Sequence, residues 1–501
     1  MRDPGRRVLQ PLVAAALGLG SGIFLFSVAA GLLGSWRAAL AIAAPAAALA
    51  AWMFWKHPPV LVDEAACSRG LKIVAAVATV LALVQLGRLG VFMVAPERPE
   101  WSSLPASNWE VRHSCVSAYY VAAKGAGAGA NVYDDSLYTA PDDDRAKVRK
   151  PLMLGPFRVD VYEYPPAFLP LPRALLAVAP DFIRFRTLWF GLMGAVVLGA
   201  ILVTARLMGP AAGTRALLYS PLIWASYSTI STFQKGNVQV LVIAISMLAM
   251  TFFEQRRWAA GGALLAYATA SKLFPGLLAI DLIVRRRWRA LAWTVGLGAG
   301  IVLVSLLDLG WTPFAAFLKH LPGLVGGEAF PAFRNPAAIA INMSVPGIVF
   351  KLKLFGLAGA SFEAAKIVGW VYTIIAVWAT VVLARRSLAT EERPLAWMAI
   401  LVLATLRSPF LPQTYGVFPS LWLLTLLASM HAANAKTVSL TVVGWLALSA
   451  FWPMDWPMDP RWLTLLNMIP QALTIALAIL VVRRTAAPER SAVAPTSALA
   501  T

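Results

Sequence analysis

Eleven ionisable side chains fall in polar stretches between apolar segments: Glu110, Arg112, His113, Asp160, Glu163, Lys235, Lys272, Asp308, His320, Arg334 and Arg407. Charge beside or within a bilayer is costly, so such groups are functional candidates by default. Cations of this kind suit a phosphate ester held at headgroup depth. Carboxylates or a histidine suit removal of a proton from a hydroxyl. Plainer roles exist for each. Lys272 and Arg407 can snorkel from helix ends to the interface, and His320 can be an ordinary loop histidine.

The elements that position these residues belong to a membrane scaffold. The chain has 501 residues, 59% hydrophobic and 13% charged, with a mean hydropathy of +0.69. Soluble domains carry about 25% charged residues, and apolar runs long enough to span a bilayer recur throughout. The expected class is an all-α polytopic membrane protein. The net charge of +19 comes largely from short clusters after apolar segments, such as Arg256-Arg257, Arg285 to Arg287, Arg385-Arg386 and Arg483-Arg484. That distribution orients helices and requires no nucleic acid. Cys67 and Cys115 flank the third apolar segment, which argues against a bridge between them. No metal-ligand spacing is evident, and neither a metal nor a cofactor is expected. The apolar segment at 8–33 is too long for a signal-peptide core.

Read in order, the chain predicts about fourteen spans with both termini cytoplasmic. Residues 1–70 form two additional helices, 71–485 the main membrane domain, and 486–501 a disordered cytoplasmic tail. Two long loops, 96–182 and 308–362, face the extracytoplasmic side. The polar turns at 234–239, 271–275 and 407–409 fall on that side too. Residues 109–123 read as one interfacial helix, with Trp109, Tyr119 and Tyr120 at headgroup depth. The run Asp142-Asp143-Asp144 reads as a solvated turn. Several segments between 215 and 284 are short for a span, which is tolerated where bundle neighbours satisfy the backbone ends.

Seven short motifs follow one another across about residues 71–485. They are Val116-Ser-Ala-Tyr-Tyr120, Gly129-Ala-Asn-Val-Tyr133, Tyr162-Glu-Tyr-Pro-Pro166, Gly236-Asn-Val-Gln239, Lys272-Leu-Phe-Pro275, Asn342-Met-Ser-Val-Pro-Gly347 and Ser408-Pro409. In order and sidedness this set resembles the polyprenol-phosphate-mannose-dependent mannosyltransferases of glycosyltransferase family 87, membrane enzymes of the GT-C type.

The resemblance implies a GT-C helix bundle in the bacterial plasma (inner) membrane. The implied reaction is transfer of a sugar, mannose first, from a polyprenyl-phosphate donor to an envelope glycolipid or polysaccharide outside the cytoplasm. It places the donor phosphate near Lys235, Lys272 and Arg407. Tyr119, Tyr120, Tyr164, Asn237, Gln239 and Asn342 become sugar or acceptor contacts. The family's acidic position falls on Cys115, a poor base with an ordinary pKa of about 8.5. Glu110 is then the first candidate for the base, with Asp160 and His320 as alternatives. Two other readings share the cationic pocket: a lipid-linked-sugar carrier, and a catalytically silent relative that binds polyprenyl phosphate.

Overall fold

The computed structural model describes residues 9–141 and 149–484. The amino-terminal arginines Arg6 and Arg7, the acidic run Asp142 to Asp144, and the tail 486–501 lie outside the described residues.

The protein is an all-α polytopic membrane protein. Among the described residues, seven helices are long and apolar enough to cross a bilayer. They are Leu9–Leu33, Trp36–Lys56, Arg69–Val94, Phe182–Leu207, Trp288–Leu309, Phe362–Arg385 and Pro460–Arg484. The other expected spans are shorter, so seven rather than fourteen meet the length requirement individually. The stretch 209–235 is cut into three helices, broken at Pro221 and Ser226. A proline cannot donate the helical hydrogen bond, and Ser226 adopts an extended backbone.

Burial explains the difference in length. Helices Val238–Glu254, Arg393–Thr405 and Gln413–Ser429 are buried on nearly every face, so neighbours rather than lipid surround them. Trp36–Lys56 and Trp288–Leu309 are only 11% buried over their most apolar stretch and form the periphery.

The first two helices form a hairpin turned at Gly34, whose φ of +68° suits glycine. Ser35 caps the second helix by accepting from the Ala38 amide. Small residues let the hairpin close: a Cβ on Gly18 or Gly22 would sit 2.5 Å from Ala51 or Ala47. A Cβ on Gly31 would likewise sit 2.7 Å from Leu188 on the helix Phe182–Leu207. Residues 9–56 are therefore packed directly against the rest of the bundle.

The two ends of the helix Val238–Glu254 face different surroundings. At one end Glu254 pairs with Arg287 and Arg393, while Arg285 binds Asp281 at 2.8 Å and the carbonyl of Arg386 at 3.3 Å. Three basic loops thus converge there. At the other end lie Asn237 and the long loop 96–182, about 25 Å away at 1.5 Å per residue.

Within that loop the single helix expected at 109–123 is interrupted. The helix Asn108–Arg112 is followed by the strand His113–Ser114 and then the helix Val116–Gly127. The strand pairs in parallel with Phe157–Val159, which pairs antiparallel with Met153–Leu154. Strands Thr139–Pro141 and Arg149–Pro151 make a second antiparallel pair. Tyr119 and Tyr120 are buried against Trp189, Phe182 and Phe185, not placed at an interface. The sequence periodicity continues across the break, which is set by the partner strand 45 residues later. The second loop contains helices Thr312–Gly326, Pro336–Ala340 and Ile348–Leu354.

Candidate active site

A cavity of about 960 Å³ opens where these loops meet the short helices. Its polar wall includes Glu110, His113, Cys115, Asp160, Glu163, Tyr164, Lys235, Asn237, Gln239, Lys272, Arg407 and Tyr415. Its other wall is apolar, with Phe317, Leu321, Leu324, Val325, Trp370 and Ala376 drawn from helices Thr312–Gly326 and Phe362–Arg385.

The parallel strand pair fixes one corner. Register sets His113 opposite Arg158 and Ser114 opposite Val159, so Asp160 emerges just beyond the ladder. The Ser117 hydroxyl donates to the Ser114 carbonyl at 2.6 Å and accepts from the Asp160 amide at 2.9 Å. That hydroxyl ties both strands to the helix Val116–Gly127. His113 Nδ1 then lies 3.3 Å from Asp160 Oδ1. The imidazole stacks on Trp109, centroids 4.5 Å apart and planes 17° apart. Its Nε2 faces Tyr415 Oη at 3.4 Å and Cys115 Sγ at 3.6 Å. Cys115 Sγ also contacts Tyr415 Oη at 3.2 Å and Asn237 Nδ2 at 3.4 Å.

Burial governs the charge states here. It pushes the Asp160 carboxyl up to about 7, opposed by the Cys115 hydrogen bond and the charge of Lys235. Burial, reinforced by Asp160, pushes Glu163 up to about 8. Burial and the charges of Lys235 and Arg158 push His113 down to about 3, so its ring is neutral. A neutral ring matches the hydrogen bonds if Nδ1–H donates to Asp160 and Nε2 accepts from Tyr415; this tautomer is assigned from the network. Burial pushes the Cys115 thiol up to about 12, so the sulfur is protonated.

The polar wall also carries two cations. Lys272, the residue after helix Trp258–Ser271, donates from Nζ to Gln239 Oε1 at 3.1 Å and sits 5.4 Å from the Tyr164 ring centroid. Burial pushes its ammonium down to about 8. Arg407 donates from Nε to Thr373 Oγ1 at 2.6 Å and lies over Trp370. Among the described residues neither cation has a carboxylate at ion-pair distance, so each keeps donors for a ligand.

Lys235 differs. Its Nζ lies 2.6 Å from Glu110 Oε1, and the two side chains are 3% and 2% exposed. Ser231 Oγ donates to Glu110 Oε2, also at 2.6 Å. Both carboxylate oxygens are engaged inside the protein.

The turn carrying this pair is built by Gly236 and Asn237. Helices Tyr227–Lys235 and Val238–Glu254 meet at 105°. Gly236 has φ +68°, and a Cβ there would lie 2.1 Å from Val116 Cγ2. Asn237 caps the second helix, its Oδ1 accepting from the Gln239 amide at 3.0 Å.

The expected site residues therefore separate. Asp160, Lys272, Arg407, Tyr164, Asn237 and Gln239 meet in the cavity, with Glu110 and Lys235 on its wall as a closed pair. Tyr119 is buried behind Tyr164, its Oη accepting from the Val238 amide at 3.0 Å. Tyr120 donates to the Pro180 carbonyl at 2.7 Å and does not reach the lining. Asn342 fastens two loops: its Oδ1 accepts from the Leu411 and Ser344 amides, and its Nδ2 donates to the Pro409 carbonyl. His320 lies beside Tyr133, ring centroids 5.9 Å apart and planes tilted by 38°, outside the lining. Asp308 pairs with Arg173 at 2.6 Å. Tyr415 had no sequence signal, because its motif value is only its position 300 residues from Cys115.

A family model described as glycosyltransferase family 87 matches residues 162–412, half of the chain. The match holds Tyr164, Lys235, Asn237, Gln239, Lys272 and Arg407. A curated relative is the polyprenol-phosphate-mannose-dependent alpha-(1-2)-phosphatidylinositol pentamannoside mannosyltransferase of Mycobacterium tuberculosis (strain CDC 1551 / Oshkosh). It is 32% identical over 160 residues, covering 30% of this chain and 34% of that protein. The chain thus spans about a third of the length of the curated relative it matches. No solved structure matches the chain. With its helical membrane bundle and the extent of the family match, this chain belongs to glycosyltransferase family 87.

Proposed function

We propose that the protein transfers a sugar, mannose first, from a polyprenyl-phosphate donor to a hydroxyl of an envelope glycolipid or polysaccharide. The observation that carries this reading is the two-sided cavity. Lys272 and Arg407, without a carboxylate partner among the described residues, line the same cavity as the Asp160–His113 pair, next to an apolar wall.

The lipid tail follows the apolar wall between helices Thr312–Gly326 and Phe362–Arg385, and the phosphate sits against Lys272 and Arg407. The acceptor hydroxyl enters beside Asp160. Its oxygen bonds to the anomeric carbon, the bond from that carbon to the phosphate oxygen breaks, and polyprenyl phosphate leaves with the electron pair. Asp160 takes the hydroxyl proton, with a pKa near the working pH, where general-base efficiency is greatest. His113, clamped by Trp109, orients the carboxylate. Asn237 and Gln239 supply amide contacts for sugar hydroxyls.

Residues 71–485 carry this activity and residues 1–70 are an added hairpin. The basic loops at Arg256, Arg285 and Arg385 put that end of the bundle in the cytoplasm by the positive-inside rule. The cavity then faces the extracytoplasmic side of the bacterial plasma membrane, with both termini cytoplasmic.

The test is to incubate the purified protein in lipid with radiolabelled polyprenyl-phosphate mannose and an envelope-lipid extract. The expected result is a labelled product with matching release of polyprenyl phosphate. Donor binding without product across a broad acceptor set would overturn the transferase reading. Movement of labelled lipid across liposomes without acceptor would point to a carrier.

A further inference from the structure

His113, Cys115 and Asp160 come together although no sequence spacing marks them as a ligand set. One donor atom from each lies within 4.8 Å of the others. We propose that these three side chains form a binding site for a divalent transition-metal ion of the zinc class, with a fourth position open to the cavity.

Geometry supports the site first. Imidazole, thiolate and carboxylate donors around zinc, at about 2.0–2.3 Å from the ion, lie roughly 3.3–3.8 Å from one another in a tetrahedron. His113 Nε2 and Cys115 Sγ are already 3.6 Å apart. These two are the fixed members: the His113 side chain is 11% exposed and Cys115 is 6% exposed. Asp160 lines the cavity, is 28% exposed and now contacts the other ring nitrogen, Nδ1, at 3.3 Å, so its carboxylate turns toward Nε2 to complete the set.

Rigidity comes from the strand pair. His113 and Asp160 leave adjacent parallel strands, and Ser117 ties both backbones to the helix that begins after Cys115. The surroundings suit bound donors as well. Trp109 holds the imidazole plane, while Asn237 Nδ2 and Tyr415 Oη approach the sulfur at 3.4 and 3.2 Å. Outer contacts of this kind orient metal ligands.

Donor chemistry selects the ion. A sulfur and an imidazole disfavour magnesium and calcium, which take oxygen ligands, and favour zinc or its spectroscopic substitute cobalt. Thiolate is the ligand form, so the Cys115 proton leaves to solvent on binding. Three protein ligands and one open position make the pattern of a site that accepts a further oxygen ligand, rather than that of a closed structural site. The inference stands on the cavity geometry; Asp160 is the free base of the transfer reaction only while the ion is absent.

The test uses the full-length protein in lipid, stripped with chelator and then equilibrated with cobalt(II) or zinc(II). Bound metal is counted by elemental analysis, and thiolate–cobalt charge-transfer absorption is recorded in the near ultraviolet. The expected result is one ion per chain with a charge-transfer band. Cys115→Ser should abolish the band and weaken binding by more than the roughly 10–100-fold that loss of an outer partner costs. Asp160→Asn should keep the band but weaken binding, and Cys67→Ser should change neither. Thermal unfolding of each variant confirms that it is folded. Absence of stoichiometric metal in the unsubstituted protein, a band removed by Cys67→Ser, or equal binding after Cys115→Ser would overturn the site. Sugar transfer is read separately, by product formation with and without the added ion.

Discussion

Glu110 and Lys235 form a buried ion pair, 2.6 Å from Oε1 to Nζ, which links the loop 96–182 to the end of the helix Tyr227–Lys235. Gln234 strengthens the same junction by donating from Nε2 to the Glu110 carbonyl at 2.6 Å. With one oxygen on Lys235 and the other on Ser231, this carboxylate has no unoccupied oxygen to meet a hydroxyl. This relationship favours Asp160 over Glu110 as the base.

Removing one partner of such a pair leaves an uncompensated buried charge, which typically costs about 3–5 kcal/mol. Lys235→Met should therefore lower unfolding stability by about that much. The double variant Glu110→Gln/Lys235→Met should recover most of the loss. Denaturant unfolding of the three proteins measures this. Normal stability with abolished turnover in Glu110→Gln alone would instead assign Glu110 to the chemistry.

The rate should depend on pH in a narrow bell. In the proposed reaction Asp160, free of metal, acts deprotonated, and its carboxyl is raised to about 7, so kcat/KM of the chelator-treated enzyme should climb as pH rises through that value. In the same proposal Lys272 binds phosphate as a cation, and its ammonium is lowered to about 8, so kcat/KM should fall as pH rises through that value. Asp160→Asn should cost about 10²–10⁴-fold, the usual contribution of a general base. It should also remove the acidic limb. A flat profile between 6 and 9 in the unsubstituted enzyme would count against both assignments.

Lys272→Met should cost at least about 10–100-fold in kcat/KM, the value of one charge-assisted hydrogen bond of roughly 1.5–3 kcal/mol. Stability should not fall with it, because Lys272 has a neutral partner, Gln239, and no carboxylate to strand. Parallel turnover and unfolding measurements separate these effects. Full retained turnover would take Lys272 out of the site.

Gly236→Ala adds a Cβ 2.1 Å from Val116 Cγ2 at a backbone φ of +68°. Overpacking and left-handed strain together should cost roughly 2–4 kcal/mol. Turnover should fall too, since the turn places Lys235 and Asn237. Adding Val116→Ala should restore the part due to overlap and leave the part due to φ. Unfolding curves for the single and double variants give the split.

Hydropathy and basic clusters were enough to class the chain as an all-α membrane protein and to divide its two ends. These properties are local: an apolar run must avoid water wherever its neighbours lie, and its flanking arginines need no distant partner. Local chemistry likewise marked Asp160, Lys272 and Arg407, because charge beside apolar segments is conspicuous. Partner choice was not legible. Glu110 and Lys235 are separated by 125 positions, Cys115 and Tyr415 by 300, and Asn342 and Leu411 by 69. No periodicity reports such pairings; only chain closure and packing create them. The break at His113 has the same origin, since a strand two residues long forms only where Phe157–Val159 supplies its ladder. Span length was also decided in three dimensions. Val238–Glu254 and Arg393–Thr405 stop short of a bilayer's thickness because enclosing helices replace lipid around them. The lipid-facing scaffold is thus written in the sequence, whereas the tertiary contacts determine which of its charges remain free for chemistry.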